Sequence, residues 1–332
     1  MNRAAESSET SAHIPVLVDE VLAVLAPRPG AVIVDATIGD GGHAEALLGR
    51  IAPAGRLIGL DRDADAVGRA EDRLRRFGQN LILRQASFAD LNRVLDETGT
   101  GLVDGVLFDL GVSSRQLFES ERGFSFDRQG PLDMRMDRGQ TVTAADLVNT
   151  LRERDLADLI YRYGEERASR RIARQIVARR PLTTTRDLVR AVESAMGGGR
   201  GRHHPATRTF QALRIATNQE IEALEAGLPQ AIGRLRAGGR ICAIAFHSLE
   251  DRIVKQTFAR YARGCTCPAG LPACVCGGRR LLRVITKKPV TPSLAEVRRN
   301  ARARSARMRA AERLDEPFPQ PAGGWAPLRG VA

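Results

Sequence analysis

The stretch AVIVDATIGDGGHAEALLGR, residues 31–50, decides the reading of the fold. Its first six residues form an apolar run broken only by Asp35, the pattern of a strand covered on both faces. Glycines at 39, 41 and 42 follow, and residues 43–51 then have the spacing of a helix. Strand, glycine turn and helix make the opening unit of a parallel open sheet. Gly39-Asp40-Gly41-Gly42-His43-Ala44 fits the nucleotide-binding pattern G-x-G-x-x-A. Outward from there the alternation repeats. Residues 56–60 read as a second strand leading into Asp61, 64–77 as a helix, 81–86 as a third strand, and 103–108 (VDGVLF) as a fourth leading into Asp109. Upstream, 13–26 has helical spacing stopped by Pro27 and Pro29. The pattern predicts an α/β fold built on a doubly wound parallel sheet.

The regularity then stops. Residues 113–138 are loop-like, rich in Gly, Asp and Arg, and 143–180 are helical, with Thr143 and Asp146 in capping-box spacing. Pro181 ends that stretch, 185–196 gives another helix, and GGGRGRHHP at 197–205 reads as a flexible loop. A single long helical stretch spans 208–235, and Gly238-Gly239 leads into ICAIAF at 241–246, a fifth strand. A further strand is expected at 281–286. The economical division is a sheet domain made of 13–112 and 237–314, an inserted helical substrate-recognition domain at 113–236, and flexible ends at 1–12 and 315–332. A chain of 332 residues suits this two-domain reading. No apolar run approaches the ~20 residues of a membrane span, and the N-terminus lacks a signal-peptide apolar region. A cytoplasmic protein without a membrane partner is the expectation, with oligomeric state left open.

Charge is partitioned unevenly. The chain carries 51 basic and 39 acidic residues, a formal net charge of +12. Residues 31–111 hold nine Arg against thirteen acids, a net of −4, and 112–240 hold 23 Arg against 16 acids, a net of +7. Residues 279–315 hold twelve Lys/Arg against three acids, a net of +9. An acidic block beside basic ones suggests a small cationic ligand in one place and a polyanion in another. The alternative is compositional, since 48 of the 51 basic residues are Arg.

Asp35, Asp61 and Asp109 end the first, second and fourth strands, where open α/β sheets bind their ligands. Asp61 is placed to hold ribose hydroxyls. A pyrophosphate should not be ringed by carboxylates, whereas S-adenosyl-L-methionine carries a sulfonium and an ammonium and no phosphate. Helix capping is the bland alternative for any one of these acids, but it explains three poorly.

Several blocks resemble the RsmH (MraW) family of bacterial 16S rRNA cytosine-N4 methyltransferases. They include His13-Ile14-Pro15-Val16-Leu17, Gly39-Asp40-Gly41-Gly42-His43, Phe108-Asp109-Leu110-Gly111-Val112-Ser113-Ser114 and Arg122-Gly123-Phe124-Ser125-Phe126. Gly130-Pro131-Leu132-Asp133-Met134-Arg135-Met136-Asp137, His204-Pro205-Ala206-Thr207-Arg208, Phe246-His247-Ser248-Leu249-Glu250-Asp251-Arg252 and Asn300-Ala301-Arg302-Ala303-Arg304-Ser305-Ala306 complete the set. The resemblance implies a Rossmann-like class I methyltransferase acting on the decoding-centre cytosine, rRNA position 1402, in the small ribosomal subunit. It implies that Gly41, Gly42 and His43 bind the methionine end of the cofactor, that Asp61 holds the ribose, that Phe88 lies by the adenine, and that Asp109 and Gln116 complete the pocket. Many amino-methyltransferases carry an Asp/Asn-Pro-Pro-aromatic motif after the fourth strand; here that position reads Asp109-Leu110-Gly111-Val112.

Methyl transfer from a sulfonium is an in-line displacement, so catalysis is chiefly positioning. The cytosine N4 lone pair is delocalised into the ring, and a hydrogen-bond acceptor would localise it. Asp109 is the catalytic candidate, with cofactor binding alone as its alternative. Asp133, Arg135 and His247 are candidate substrate contacts, against an internal ion pair and a helix cap respectively; His13 and His204 are weaker cases. The target base must leave its stack before N4 can react. Arg302 and Arg304, with Arg307, are expected to contact RNA phosphates, against the alternative of a solvated helix face. Low aromatic content argues against a stacking platform of the RRM type. Two tight pairs, Cys265-x-Cys267 and Cys274-x-Cys276, read either as a metal site or as a reduced structural turn, and C-x-C is tighter than usual zinc spacing. No metal is expected in the reaction. An NAD-dependent oxidoreductase and a non-catalytic ribosome-assembly factor are the competing functions.

Overall fold

A computed structural model describes residues 15–197, 204–264, 267 and 278–317. Cys265, Cys274, Cys276, His13 and the end at 1–12 lie outside these residues, as does the opposite end beyond 317.

The strands are β1 (Val32–Asp35), β2 (Arg56–Asp61), β3 (Leu81–Gln85), β4 (Val103–Asp109), β5 (Leu235–Ala245), β6 (Leu282–Val284) and β7 (Arg307–Arg313). They form one sheet in the order β3-β2-β1-β4-β5-β7-β6. β1 to β5 run parallel, and β7 enters antiparallel between β5 and β6. This is a doubly wound, Rossmann-like sheet with one antiparallel strand inserted near its edge. One face is covered by α1 (Val18–Leu25), α2 (Gly42–Ile51) and α3 (Ala64–Leu74), whose Leu25, Leu47, Ile51 and Leu74 bury against Ile33, Leu57 and Leu107. The other face takes α4 (Leu91–Glu97), packed over Ile58, Leu60 and Val106.

After β4 comes α5 (Ser114–Phe118), then α6 (Ala144–Thr150), α7 (Glu153–Gly164), α8 (Ser169–Ala178), α9 (Thr185–Met196) and α10 (Thr207–Asn218). The helices α6 to α10 bury their own core around Leu156, Ile160, Ile172, Leu188 and Leu213, separate from the two sheet layers. Next are α11 (Glu220–Arg234), α12 (Ser248–Arg263) and α13 (Leu294–Arg299). Leu224, Leu228 and Ile232 of α11 pack with Phe258 of α12 on the sheet. The inserted helical body therefore ends at Asn218, and 220–235 goes with the sheet rather than with the insertion expected to run to 236.

Three elements differ from the sequence reading for identifiable reasons. The helical stretch at 208–235 is two helices, because Gln219 takes a left-handed backbone (φ 50°) between them. The one at 143–180 is three, broken at 151–152 and around Glu165, also left-handed (φ 49°). The arginine-rich segment that reads as a helix face contains β7, RMRAAER. Met308, Ala310 and Ala311 are buried in the sheet layers, and the weak strand propensity of Ala hides the alternation.

Candidate active site

A cavity opens at the C-terminal edge of the sheet, around β1 and β4 where the strand order reverses, the place where open α/β sheets bind ligands. The glycine turn supplies Ile38, Gly39, Asp40, Gly42 and His43; β2 supplies Asp61, and Phe88 sits beyond β3. Asp109 through Ser114 line it from β4, Glu220 and Leu224 from α11, with Phe246, Glu250, Asn300 and Arg302 closing it.

The acids are unlike one another. Asp61 braces the turn, its Oδ2 accepting from the Gly39 N–H at 3.0 Å and its Oδ1 from the Asp63 N–H at 3.0 Å. Burial pushes its pKa up to about 6. Asp109 has one carboxylate oxygen 3.5 Å from His43 Nδ1, while the other is buried with no hydrogen-bond partner among the described residues. Burial, reinforced by the nearby Glu250 carboxylate, pushes Asp109 to about 7. Asp35 is only 1% exposed and does not line the cavity. It lies beneath the turn, accepts from the Thr37 N–H at 3.2 Å, and is pushed by burial to about 7. His43 Nε2 is 2.8 Å from the Val16 carbonyl, which can only accept, so that nitrogen carries the proton. Burial lowers the His43 pKa, and the neutral ring turns its Nδ1 toward Asp109.

Of the expected cofactor residues, Gly42, His43, Asp61, Phe88, Asp109 and Gln116 line the cavity. Gly41 does not. It is the left-handed (φ 78°) cap of α2, and a Cβ there would lie 3.1 Å from Leu74 Cδ1. Gln116 is committed to the protein, donating to Asp63 Oδ2 at 2.8 Å and accepting from the Ser113 N–H at 2.9 Å. Phe88 packs edge-on to Phe108 with centroids 5.5 Å apart.

The expected substrate residues separate. Arg302 reaches the cavity. Arg304 is exposed and does not line it, and Arg307 lies 3.6 Å from Asp251. Asp133 and Arg135 form a two-pronged ion pair with both contacts at 2.8 Å, away from the cavity wall. This is the internal ion pair that the sequence offers as the alternative to a substrate contact. His247 caps α12, its Nδ1 accepting from the Glu250 N–H at 3.4 Å, and does not line the cavity. His204 stacks on Phe126 with centroids 4.6 Å apart.

Glu220, Glu250 and Phe246 were not singled out by sequence reasoning. The spacing His247-x-x-Glu250 is a capping box that could have flagged Glu250. Glu220, His247 and Glu250 bring potential metal-ligating atoms within 4.8 Å of one another. Arg214 already holds both Glu220 oxygens at 2.8 Å, so the cluster contains its own cation.

A parallel sheet in this order, with a glycine turn and carboxylates converging at its switch point, defines a class I methyltransferase. The family model described as the MraW methylase family matches residues 10–314, and the chain belongs to that family. It is 52% identical over 310 residues to the ribosomal RNA small subunit methyltransferase H of Syntrophobacter fumaroxidans, spanning 92% of this chain and 97% of that protein. It is 54% identical over 310 residues to the protein of the same name from Geobacter sulfurreducens, spanning 92% and 100%. Among solved structures, an rRNA methylase from Streptococcus thermophilus aligns over 90% of this chain and 94% of that one, with 12% identity and a TM-score of 0.39.

Proposed function

We propose that the protein transfers a methyl group from S-adenosyl-L-methionine to N4 of cytosine 1402 in the 16S rRNA of the small ribosomal subunit. The observation that carries the reading is the buried, unpartnered Asp109 oxygen in a carboxylate-lined cavity at the switch point. Relatives more than 50% identical carry a small-subunit rRNA methyltransferase name, which supports the substrate class. The cavity fits this cofactor chemically. Asp61 and Asp109 favour a cationic ligand and disfavour a pyrophosphate, and the α2 N-terminus, which no side chain among the described residues caps, suits a carboxylate.

When bound, the cofactor supplies a methyl group on a sulfonium, ready for in-line displacement. The chain's own residues then position and polarise. Asp61 would hold the ribose, and Phe88 would pack beside the adenine. Asp109 accepts a hydrogen bond from the exocyclic amine, localises its lone pair and stabilises the charge that develops on nitrogen. Phe246 and Leu224 give the cavity apolar walls that exclude water from the reacting atoms. The test is to map the modified nucleotide on unmethylated small subunits incubated with cofactor, with and without the protein. Methylation at cytosine 1402 N4 is expected; methylation elsewhere, or none, overturns the assignment.

A further inference from the structure

Arg302, which lines the cavity, meets two residues of the 113–138 stretch at the cavity mouth. Phe118, the last residue of α5, is a large apolar side chain left 45% exposed. The Arg302 guanidinium lies over its ring at 4.6 Å and that of Arg128 at 5.3 Å. Both arginines are exposed, and among the described residues neither has a carboxylate partner. By contrast, the arginines that brace the fold nearby are neutralised, as Arg69, Arg122, Arg135, Arg214 and Arg309 are. Arg302 also lines the cavity that holds Asp61 and Asp109.

A guanidinium held against an aromatic ring loses much of its rotamer freedom while its N–H groups can still reach an anion. Phe118 thus holds two unneutralised cations against one ring. The proposed cofactor has no phosphate and takes the carboxylate-lined interior, so an anion at the rim belongs to the other substrate. We propose that Arg128, Phe118 and Arg302 form a phosphodiester clamp, with the two guanidiniums gripping consecutive RNA backbone phosphates beside the nucleotide that enters the cavity and Phe118 acting as the residue that positions both. The clamp rests on the reading of an RNA substrate, and it qualifies the expectation from low aromatic content: one aromatic ring serves the arginines rather than a base.

The test measures binding of the full-length protein to unmethylated small subunits and to a ten-nucleotide single-stranded RNA across a salt series. Titration with S-adenosylhomocysteine serves as the control. Arg128→Ala and Arg302→Ala should each weaken RNA binding and shrink the slope of log affinity against log salt by about 0.7, the value of one single-strand phosphate. Phe118→Leu keeps both charges but frees them, and should weaken RNA binding about 5–30-fold, the worth of two exposed cation–π contacts. Phe118→Tyr should restore it. S-adenosylhomocysteine affinity should stay within about two-fold in Arg128→Ala and Phe118→Leu. Wild-type RNA affinity and slope in Phe118→Leu overturn the clamp, as does failure of Tyr to rescue. Inorganic pyrophosphate competing at the same concentration as the RNA would show a small-anion site and also overturn it. If the ten-nucleotide RNA responds as expected while small subunits do not bind, the clamp stands and the rRNA assignment falls.

Discussion

Replacing Arg122 with methionine should be among the most destabilising single changes in the protein. Arg122 and its partner Asp63 are both 2% exposed. One guanidinium nitrogen of Arg122 donates to Asp63 Oδ2 at 2.9 Å, to the Met136 carbonyl at 2.9 Å and to the Arg135 carbonyl at 3.1 Å. The substitution leaves a buried carboxylate without its cation, a loss of about 3–5 kcal/mol, and two carbonyls without a donor. Asp63 keeps the Gln116 amide and the Asp65 N–H, which holds the loss within that range. With an unfolding entropy of about 2.1 cal/mol/K per residue, this corresponds to a fall in Tm of roughly 4–7 °C. Urea denaturation measures the free energy and a thermal scan the midpoint. The pair Asp63→Asn plus Arg122→Met removes the orphaned charge and should recover at least about 1 kcal/mol over Arg122→Met alone. The reasoning is refuted if Arg122→Met costs less than about 1 kcal/mol, or if the second substitution recovers nothing. Because Asp63 also donates its N–H to Asp61, the same variant should weaken cofactor binding.

Three further outcomes are expected. Asp109→Asn should lower single-turnover methylation by about 10²–10³ at saturating cofactor, the scale of losing one electrostatic contact to the transition state; near-normal turnover would reduce Asp109 to cofactor binding. Asp35, Asp61 and Asp109 have folded pKa values raised to about 7, 6 and 7, so between the unfolded value near 4 and about pH 7 the native state binds more protons than the unfolded one. Their contribution to stability is therefore greatest below pH 4 and declines as pH rises through 7. Over the same window the carboxylates ionise, so calorimetry should find the preference for S-adenosylmethionine over its uncharged-sulfur product larger at pH 8 than at pH 5.5. Gly227→Ala puts a Cβ 2.8 Å from the Phe88 carbonyl oxygen and 2.9 Å from its ring. It should cost about 1–3 kcal/mol and weaken cofactor binding by displacing Phe88, which thermal-shift titration would detect.

Much of this was legible in the chain. Strands β1, β2 and β4 announce themselves because each is a short apolar run ending in an acid, and the ligand edge of the sheet follows from their order. Elements whose local pattern opposes their tertiary role stayed hidden. β7 is written mostly in Arg and Ala and is a strand only because β5 and β6 accept it on both edges. Glu220 belongs to the cavity because Gln219 turns the chain between two helices, a left-handed step that a glutamine does not advertise. Asp133 and Arg135 look like a charged substrate loop in sequence; only the fold reveals that they spend their charges on each other. Phe118 carries no signal, since its meaning depends on Arg302, far away in the chain, meeting the loop that carries Arg128.

The late arrival of β7 has a consequence for how the protein is made. β5 is an interior strand only after residues 307–313 have left the ribosome and paired with it. Until then Ile241, Cys242 and Ile244 sit on a strand with a free edge, a template for pairing with another nascent chain. The segment that closes this edge also delivers Arg302 to the cavity mouth. A transcript cut short before residue 302 would therefore yield a chain both prone to aggregation and without the proposed arginine clamp, however complete its cofactor turn.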